Sequence, residues 1–501
     1  MVGLVSSLTA KKADERTIRS GVSSTELMKR VAIGVLENAP LRQGKTLILS
    51  GKGGNGGDGY ALYLLMKERG LDADIMDFGM SKHEGAALLR ELCAEEIKTF
   101  DEKADFSDYS NIIECIFGVG LTRAPQGEYL AAIKKINHSQ AFVLSVDIAG
   151  GLSADGGIAL GEAVRADMTI AVQDLKLGHF LSDGPDCSGE VGAYEIGLFP
   201  AEYDAFLLEE KDMTGLFPPL KRNVHKGTMG RLSIIAGSES YSGASVIAEL
   251  GAAAFALGDG LVKLCLPDVI LYPGMNKITE CTLLSLPSAG GRIAYDEESL
   301  KKAVSGADAV LFGNGVDISE DGKRILAYLI ERVLPPLVLD ADALNMLAES
   351  PELLKKRVGK TIITPHPREM SRLLRIPTEE VLSDPLSYAK EFASRYGVTV
   401  LLKGASSVIT DGKEAYLSAS GSPGMAKAGS GDLLAGAVAA LLAGGRDPLS
   451  AACGAAYILG LAGEFAAQEK GAYSSLPTDT YRHIGRVVKM LSEKANRKIP
   501  N

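Results

Sequence analysis

A loop of small residues near the carboxyl end of the chain leads to a single acid. Residues 424–432 read GMAKAGSGD and run directly into the apolar stretch LLAGAVAALLAGG. Small residues let a backbone approach a ligand closely, and free amides at a helix N-terminus attract anions. An acid beside a bound anion is unfavourable unless it accepts a proton from a nucleophile that attacks a phosphate. The pattern indicates phosphoryl transfer with Asp432 as the base, whereas an Asp that merely caps a core helix is the simpler alternative.

Five other segments of the same half carry polar residues at predicted strand ends or helix starts. Individually each has a structural explanation, since Asp340 and Asp342 can cap a helix and His366 lies in a rigid turn between two prolines. Together with the GSGD segment they favour a binding site. They are YSGAS (241–245), FGNGV (312–316), LDADALNML (339–347), TPHPREM (364–370) and LLKGAS (401–406).

A second glycine-rich segment, GKGGNGGDG (51–59), follows a predicted strand and opens a helix. It satisfies GxGxxG, and Asp77 ends the next strand where a ribose-binding acid would lie. Such a match is weak. Asn55 and Asp58 are not needed for dinucleotide binding, so this loop is also expected to orient a polar group or a cation.

Two further strand ends, FGVGLTR (117–123) and SVDIAGG (145–151), belong to the same half. Ligands of open α/β sheets bind outside the carboxyl ends of the strands, so these segments are expected to lie beside residues 51–59. Asp147 is the acid/base candidate, and a loop cap is its structural alternative.

The elements that must position these residues are short apolar strands that alternate with helical patterns. Continuous apolar strands fit a sheet that is buried on both faces. The sequence predicts the α/β class with two doubly wound three-layer domains, residues 1–210 and residues 211–501, joined through a proline-rich and charged connector at 197–223. Strands are predicted at 45–50, 73–78, 111–117, 141–148 and 168–172, and again at 231–237, 260–266, 309–313, 336–342, 360–365 and 398–404.

The composition restricts the partners. The 501 residues carry a formal net charge of −10, which argues against a general nucleic-acid or anionic-membrane surface. The six scattered cysteines form no CxxC motif and fit a reducing compartment. The longest apolar run, 433–445, is too short for a membrane span. We expect a cytoplasmic protein.

Residues 14–210 resemble the YjeF N-terminal domain of the NAD(P)H-hydrate epimerase family, through the 51–59 loop, the FGVGL turn, the VDIAGG strand end, residues 14–28 and residues 189–199. The resemblance implies a Rossmann-like domain that interconverts the R and S epimers of hydrated NADH or NADPH, with Asp147 in acid/base chemistry and K⁺ near the substrate. It implies K⁺ ligands at Asn55, Glu114 and Gly150. It also implies a substrate site at Gly54, Asn55, Gly56, Gly57, Asp58, Gly118, Val119, Gly120, Leu121, Thr122, Arg123 and Ala124.

The epimerase motifs are altered at several positions. Gly54 and Val119 replace Asn and Thr, and Glu114 stands where the family has an Asp ligand. Ala149 and Gly150 replace Pro-Ser, which removes a hydroxyl ligand. Because a hard cation needs several oxygen ligands, these changes weaken the expected K⁺ site.

Residues 225–467 resemble the ribokinase-like NAD(P)H-hydrate dehydratase family, through HKG, LVLDADALN, TPHPREM and GMAKAGSGD. The resemblance implies dehydration of the S epimer, driven by ADP with Mg²⁺ and giving AMP and phosphate. Asp432 would be the base, and Ala244, Gly315 and His366 would line the hydrate pocket. The nucleotide would be held by Lys403, Gly404, Ala405, Ser406, Ser407, Gly429, Ser430 and Gly431.

The sequence therefore predicts a bifunctional repair enzyme that acts on NADHX and NADPHX with ADP, and a homo-oligomer. The alternative is an ATP-dependent small-molecule kinase of the ribokinase superfamily whose N-terminal domain binds nucleotide without catalysis. TPHPREM and DADALN favour the repair enzyme.

Overall fold

The computed structural model describes residues 1–241, 243, 256–275, 278 and 280–497. It separates into two compact units, Gly3–Phe206 and Leu207–Asn501 with Met1–Val2. The assignment of separate activities to residues 1–210 and 211–501 remains a prediction.

The first unit alternates strands and helices, as the sequence predicts. Its strands are β1 (Val2–Val5), β2 (Thr46–Ser50), β3 (Ala73–Asp77), β4 (Lys98–Thr99), β5 (Asn111–Cys115), β6 (Phe142–Val146), β7 (Met168–Val172), β8 (Leu175–Lys176), β9 (Glu190–Tyr194) and β10 (Ala205–Leu207). Its helices are α1 (Ser7–Arg19), α2 (Ser24–Asn38), α3 (Gly54–Glu68), α4 (Glu84–Leu92), α5 (Glu128–His138) and α6 (Gly184–Ser188).

Seven of these strands form one sheet in the order β4-β3-β2-β5-β6-β7-β9, and all of its neighbouring pairs are parallel. Alternate residues of β2 pack on opposite faces of the sheet. Ile48 packs with α2, α3 and α4, whereas Leu47 and Leu49 pack with α5. The chain leaves β2 on one side for β3 and returns on the other side at β5. This reversal is where open α/β sheets bind ligands.

The second unit repeats this organisation with a larger sheet. Its strands are β11 (Arg231–Ile235), β12 (Leu261–Pro267), β13 (Thr282–Leu286), β14 (Ser288–Ala289), β15 (Arg292–Ile293), β16 (Ala309–Phe312), β17 (Leu337–Leu339), β18 (Thr361–Ile363), β19 (Thr399–Leu402), β20 (Ser407–Thr410) and β21 (Ala415–Ser418). Its described helices are α7 (Asp268–Met275), α8 (Glu297–Val304), α9 (Glu320–Arg332), α10 (Asp342–Leu347), α11 (Pro367–Leu374), α12 (Thr378–Ser383), α13 (Pro385–Tyr396), α14 (Ser430–Ala443), α15 (Pro448–Lys470) and α16 (Pro477–Arg497).

Nine strands of this unit run in the order β13-β12-β11-β16-β17-β18-β19-β20-β21. They are parallel except where β20 pairs with β19 and β21. Leu232 and Ile234 of β11 share a core with α14, α15 and α16. The chain reverses between β11 and β16, so the second unit also has a switch point. The doubly wound α/β prediction is confirmed in both units.

Helix α15 is the longest apolar element among the described residues. It has the length and hydropathy of a membrane span, and 61% of its most apolar window is buried inside the protein. Core helices share these properties. The apolar run 433–445 lies mostly in α14, whereas α15 is a longer helix that also contains polar residues such as Ser450 and Glu464.

Candidate active sites

A cleft of about 660 Å³ opens at the switch point of the first unit. Three predicted segments meet there: Gly54, Asn55 and Asp58 from the start of α3, residues 116–123 after β5, and Asp147 after β6. Helix α1 adds Asp14. The structure thus brings together most of the residues that the resemblance implies for the substrate site.

The glycines of the 51–59 segment pack backbone against backbone. A Cβ atom on Gly56 would overlap the carbonyl oxygen of Gly51, and one on Gly51 would overlap that of Ile116. Gly56 and Gly57 do not line the cleft. Their contribution is to seat α3 close to the strand ends, which places Asn55 at the cleft floor.

Asn55 connects two strand ends. Its Nδ2 atom donates to the carbonyl oxygens of Phe117 at 2.8 Å and Val146 at 3.0 Å. Its Oδ1 atom is buried and has no hydrogen-bond partner in the described part of the chain. A buried free acceptor is suited to a cation or a donor on the substrate.

Asp147 is held from several sides in a strained conformation. Its φ of 73° is rare for a residue with a side chain. The Oδ1 atom is ion-paired with Lys176 and accepts a 3.3 Å hydrogen bond from the amide of Val172. A Cβ atom on Gly118 would lie 3.3 Å from Oδ2, so this oxygen faces the Gly118 turn. Asp147 therefore keeps one oxygen for a ligand.

Lys176 and His179 support Asp147 from behind. The Lys176 side chain is only 2% exposed, and its ammonium also donates to the carbonyl oxygen of Val172 at 2.8 Å. Burial, with a smaller contribution from the charge of Lys176, lowers the pKa of His179 to about 4. A neutral His179 accepts from the Lys176 amide at 3.2 Å through Nδ1, so its Nε2–H donates to the Asp147 carbonyl at 2.9 Å.

Burial acts on two more acids of the cleft. It raises the pKa of Asp58 well above its ordinary value, and the charge of Asp147 adds to this effect. Burial likewise raises the pKa of Asp14. The cleft thus combines an ion-paired carboxylate with two carboxyl groups of raised pKa, and such a difference between acids can separate a base from a proton donor.

The same cleft offers cations for an anionic ligand. Lys11, Lys52 and Arg123 line it, together with the predicted turn residues Gly118, Val119, Gly120, Leu121 and Thr122. Ala124 does not line it and is exposed beside Gly161. A pyrophosphate is suited to this side of the cleft.

The K⁺ ligand set implied by the resemblance is not assembled. Glu114 is fully buried behind the cleft, where Oε1 accepts from Ser145 at 2.9 Å and Gly150 at 2.6 Å, and Oε2 accepts from Ile116 at 3.1 Å. The Gly150 carbonyl accepts from Val164 at 2.8 Å. Burial raises the pKa of Glu114 to about 7. Asn55 Oδ1 fits a cation, but Glu114 and Gly150 do not, because protein donors already occupy their oxygens.

In the second unit, four strand ends converge on Asp432. The Oδ1 atom of Asp432 accepts a 2.7 Å hydrogen bond from Asn314, which follows β16. Asn314 also donates to Oδ2 of Asp340 at 3.0 Å. The Oδ1 atom of Asp340 accepts from Thr364 at 2.8 Å and from Lys403 at 2.7 Å. These contacts link the proposed base to the ends of β16, β17, β18 and β19.

The start of α14 has the geometry of an anion site. Gly429 has a φ of 97°, and the Gly429 and Gly431 amides have no hydrogen-bond partner among the described residues. The Ser430 amide, predicted to bind the nucleotide, instead donates to the carbonyl of Lys427 at 3.2 Å. This bond forms because the left-handed Gly429 folds the loop back into a turn. Gly429 and Gly431 thus present the free donors.

Lys403 supplies the cation of this site. A Cβ atom on Gly431 would lie 3.5 Å from its ammonium nitrogen. Burial opposes its charge, but Asp340 and Glu369 raise the pKa of Lys403, so it stays protonated. The rest of the predicted nucleotide segment, Gly404, Ala405, Ser406 and Ser407, turns from β19 into β20.

The predicted hydrate pocket is only partly described. His366 caps α11 by accepting from the amides of Arg368 and Glu369 at 3.1 and 3.4 Å, and burial lowers its pKa. Gly315 has a φ of 65°, and a Cβ atom there would lie 3.3 Å from Tyr241. Ala244 lies outside the described residues.

Sequence reasoning missed Lys176 and His179, and it singled out the FGNGV segment without giving Asn314 a role. Each of the three contacts a predicted catalytic Asp, but Lys176 and His179 belong to no charged or glycine motif that the sequence singles out by itself. Position just after a strand end was the available signal for Asn314, which lies two residues beyond β16.

Two family models match the chain. One described as NAD(P)H-hydrate dehydratase covers residues 232–486, and one described as YjeF-related protein N-terminus covers residues 24–178. A ribokinase-like superfamily protein from Enterococcus faecalis V583 shares the fold of the second unit. It has a TM-score of 0.51 and 24% identity over 59% of this chain and 99% of its own.

Full-length relatives are described as bifunctional NAD(P)H-hydrate repair enzymes. The one from Thermofilum pendens is 31% identical, with 96% of this chain and 94% of the relative covered. The one from Coxiella burnetii is 33% identical over 95% and 97%, and that of Escherichia coli K12 is 32% identical over 93% and 90%. With this identity across both units, the chain belongs to the family of bifunctional NAD(P)H-hydrate repair enzymes.

Proposed function

We propose that this enzyme repairs hydrated NADH and NADPH, with an epimerase in residues 1–210 and an ADP-dependent dehydratase in residues 211–501. The observation that carries the proposal is Asp432, which lies one residue after the free amide of Gly431 and within the network of Lys403 and Asp340. Family membership over the whole length supports two activities.

The dehydratase step follows from the order of these groups. Hydroxide is a poor leaving group, so the ring hydroxyl of the S epimer is first converted to a phosphate ester. Asp432 accepts the hydroxyl proton while the oxygen attacks the β-phosphate of ADP, and the bond to the bridging oxygen breaks to give AMP. The amides of Gly429 and Gly431 and the Lys403 ammonium stabilise the charge on the transferred group. Phosphate then leaves the ring with its C–O bond electrons, and loss of a proton from the adjacent carbon restores NADH.

The nucleotide is assigned to the loop from Lys403 to Ser407 and the start of α14. ADP is the proposed donor, and ATP would fit the same phosphate contacts. Mg²⁺ would neutralise the nucleotide phosphates when bound. Among the described residues no cluster of three His, Cys, Asp or Glu side chains forms a metal site, so Mg²⁺ would be held chiefly by phosphate.

The epimerase chemistry needs one group that accepts a proton and one that donates a proton. Inversion at the hydroxyl-bearing carbon requires either ring opening or departure and return of water, and both routes begin and end with proton transfer. Asp147 is proposed as the base, with Lys176 fixing its Oδ1. Asp58, whose pKa is raised by burial, is suited to hydrogen-bond the substrate, and Lys11, Lys52 and Arg123 to bind its pyrophosphate.

The two activities complement each other, because a dehydratase that accepts only the S epimer would leave the R epimer unrepaired. The proposed partners are NADHX, NADPHX and ADP. The homo-oligomeric state and the cytoplasmic location expected from the sequence stay predictions.

Incubation of mixed NADHX epimers with ADP, and separately with ATP, tests both activities through the absorbance of NADH. Complete recovery is expected. Recovery that stops at the S fraction, apart from slow spontaneous epimerisation, would refute the epimerase. No recovery with either nucleotide, together with phosphorylation of a sugar or hydroxymethylpyrimidine, would favour the kinase alternative.

A further inference from the structure

One side-chain amide lies between the two acids of the second site. The Nδ2 atom of Asn314 donates to Asp432 at 2.7 Å and to Asp340 at 3.0 Å. The two hydrogens of a single amino group are thus divided between two carboxylates. Asn314 is 2% exposed, so water does not compete for these bonds.

The amide oxygen of the Asn314 side chain has no hydrogen-bond donor among the described residues. This Oδ1 atom is buried. An unpaired buried acceptor destabilises the folded protein. The backbone of Asn314 already fixes the loop, because its carbonyl accepts from Gly237 at 3.0 Å, a bond that any residue type would make. The amide side chain is therefore explained by its contacts with the two acids.

Asp340 is a rigid support for this bridge. Besides Asn314 it accepts from Thr364 and Lys403, and it is 1% exposed. Asp432 is different, since its Oδ2 atom accepts no hydrogen bond from the described part of the protein. One oxygen of Asp432 is thus fixed and the other is available.

We propose that Asn314 is a positioning residue for the phosphoryl-transfer base, which fixes Oδ1 of Asp432 so that Oδ2 meets the hydroxyl of the substrate. The inference rests on the proposed dehydratase activity. It adds a residue that acts on the base rather than on the substrate.

The charges around Asp432 set the expected pH dependence. Burial raises the pKa of Asp432, the Asn314 hydrogen bond lowers it, Asp340 and Asp342 raise it, and Lys403 lowers it. These groups come from the ends of β16, β17 and β19 and the start of α10. A base acts when ionised, so activity appears above its pKa. Loss of Asn314 removes one lowering contribution, and the acidic limb of kcat must then move to higher pH.

The experiment measures ADP-dependent NADH recovery from S-NADHX for wild type, Asn314→Ala and Asn314→Asp. In Asn314→Ala we expect kcat to fall about tenfold, as for the loss of one hydrogen bond of about 1.4 kcal/mol. We expect the acidic limb to rise by up to about one pH unit, with KM for ADP nearly unchanged. Asn314→Asp keeps the side-chain size but cannot donate when ionised, and its limb should rise further.

Asn38→Ala is the control, because Asn38 is exposed at the end of α2 in the first unit, where its amide nitrogen donates to the carbonyl oxygen of Gly34 at 2.8 Å. Its limb should stay at the wild-type position. If Asn314→Ala fails to fold, the Asn314→Asp profile decides. If the acidic limb of kcat is unshifted in a folded Asn314 variant, the positioning role is overturned. Activity of the wild type would in that case still support the dehydratase. Wild-type protein without ADP-dependent recovery overturns the proposed function itself.

Discussion

The Oε1 atom of Glu114 accepts a 2.6 Å hydrogen bond from the amide of Gly150, and a Cβ atom on Gly150 would lie 3.0 Å from Glu114 Oε2. The long acid thus fills the space that a side chain at position 150 would need. Both positions were expected to bind K⁺, and at both the sequence departs from the epimerase motif. The two departures are expected to be coupled, since Glu114 leaves little room for a side chain at position 150.

Gly150→Ser should therefore destabilise the first unit by about 1–3 kcal/mol, as overpacking does. In a Glu114→Asp background the shorter acid leaves room, so the same change should cost less. Urea denaturation of the four proteins gives the coupling energy, expected between about 0.5 and 3 kcal/mol. Gly192→Ser in β9 is the control, because the nearest atom to a Cβ there lies 3.9 Å away. Additive effects would contradict the coupling.

The buried pair of Asp147 and Lys176 predicts separable effects on stability and activity. Asp147→Asn and Lys176→Met each leave one buried charge unpaired, which costs about 3–5 kcal/mol. The double variant removes both charges and should recover part of that stability. It should not recover consumption of R-NADHX, because the proposed base is absent, and the loss should be about 10²–10⁴-fold. Recovered epimerase activity in the double variant would disprove the role of Asp147.

Much of the fold was predictable because buried parallel strands are short, continuous and apolar. All eleven strands predicted from the sequence are present. The start of α3 was not predictable in detail, because glycines disfavour a helix. Gly54 nevertheless begins one, and the absence of a Cβ atom on Gly56 lets this helix pack on the carbonyl of Gly51. β13 lies at a sheet edge, where partial exposure breaks the apolar pattern, whereas β20 and β21 were missed although most of their residues are buried.

The grouping of the site residues was predictable where sheet topology alone brings them together. Strand ends of one sheet meet at one edge, so Asp147 was expected beside residues 54–58. The side-chain contacts of Asp147 and Asp432 were not predictable, because Lys176 lies 29 residues from Asp147 and Asn314 lies 118 residues from Asp432. Such pairs depend on side-chain direction in the folded chain. Likewise Glu114 and Gly150 were assigned separately to a cation, whereas in the structure they bond to each other.

Asp432→Asn should abolish the ADP-dependent recovery of NADH. The variant keeps the side-chain volume but cannot accept the hydroxyl proton, and a loss of about 10²–10⁴-fold in kcat is expected. Nucleotide affinity, measured by calorimetry, should change little because the Gly429 and Gly431 amides and Lys403 remain. Asp321→Asn, at a partly exposed position on α9 outside the site, should behave like wild type. Normal turnover by Asp432→Asn would refute its assignment as the base.

Asp259 predicts a pH-dependent stability that is unrelated to either site. It lies before β12, at the strand edge opposite Asp432, and is 6% exposed with its Oδ2 atom unpaired in the described structure. Burial raises the pKa of Asp259 to about 8, although the charge of Arg446 lowers it. The folded protein therefore holds a proton that the unfolded chain releases near pH 4.

A raised folded pKa means that stability is greatest below the unfolded pKa of about 4 and falls as the pH rises to about 8. Asp259→Ala removes this slope together with the unpaired oxygen. Its Tm advantage over wild type should grow from pH 5 to pH 8, reach at least ~2 °C, and then level off. Calorimetry across that range, with Asp321→Asn as the partly exposed control, measures the difference. A constant difference at every pH would mean that Asp259 is already ionised in the folded protein.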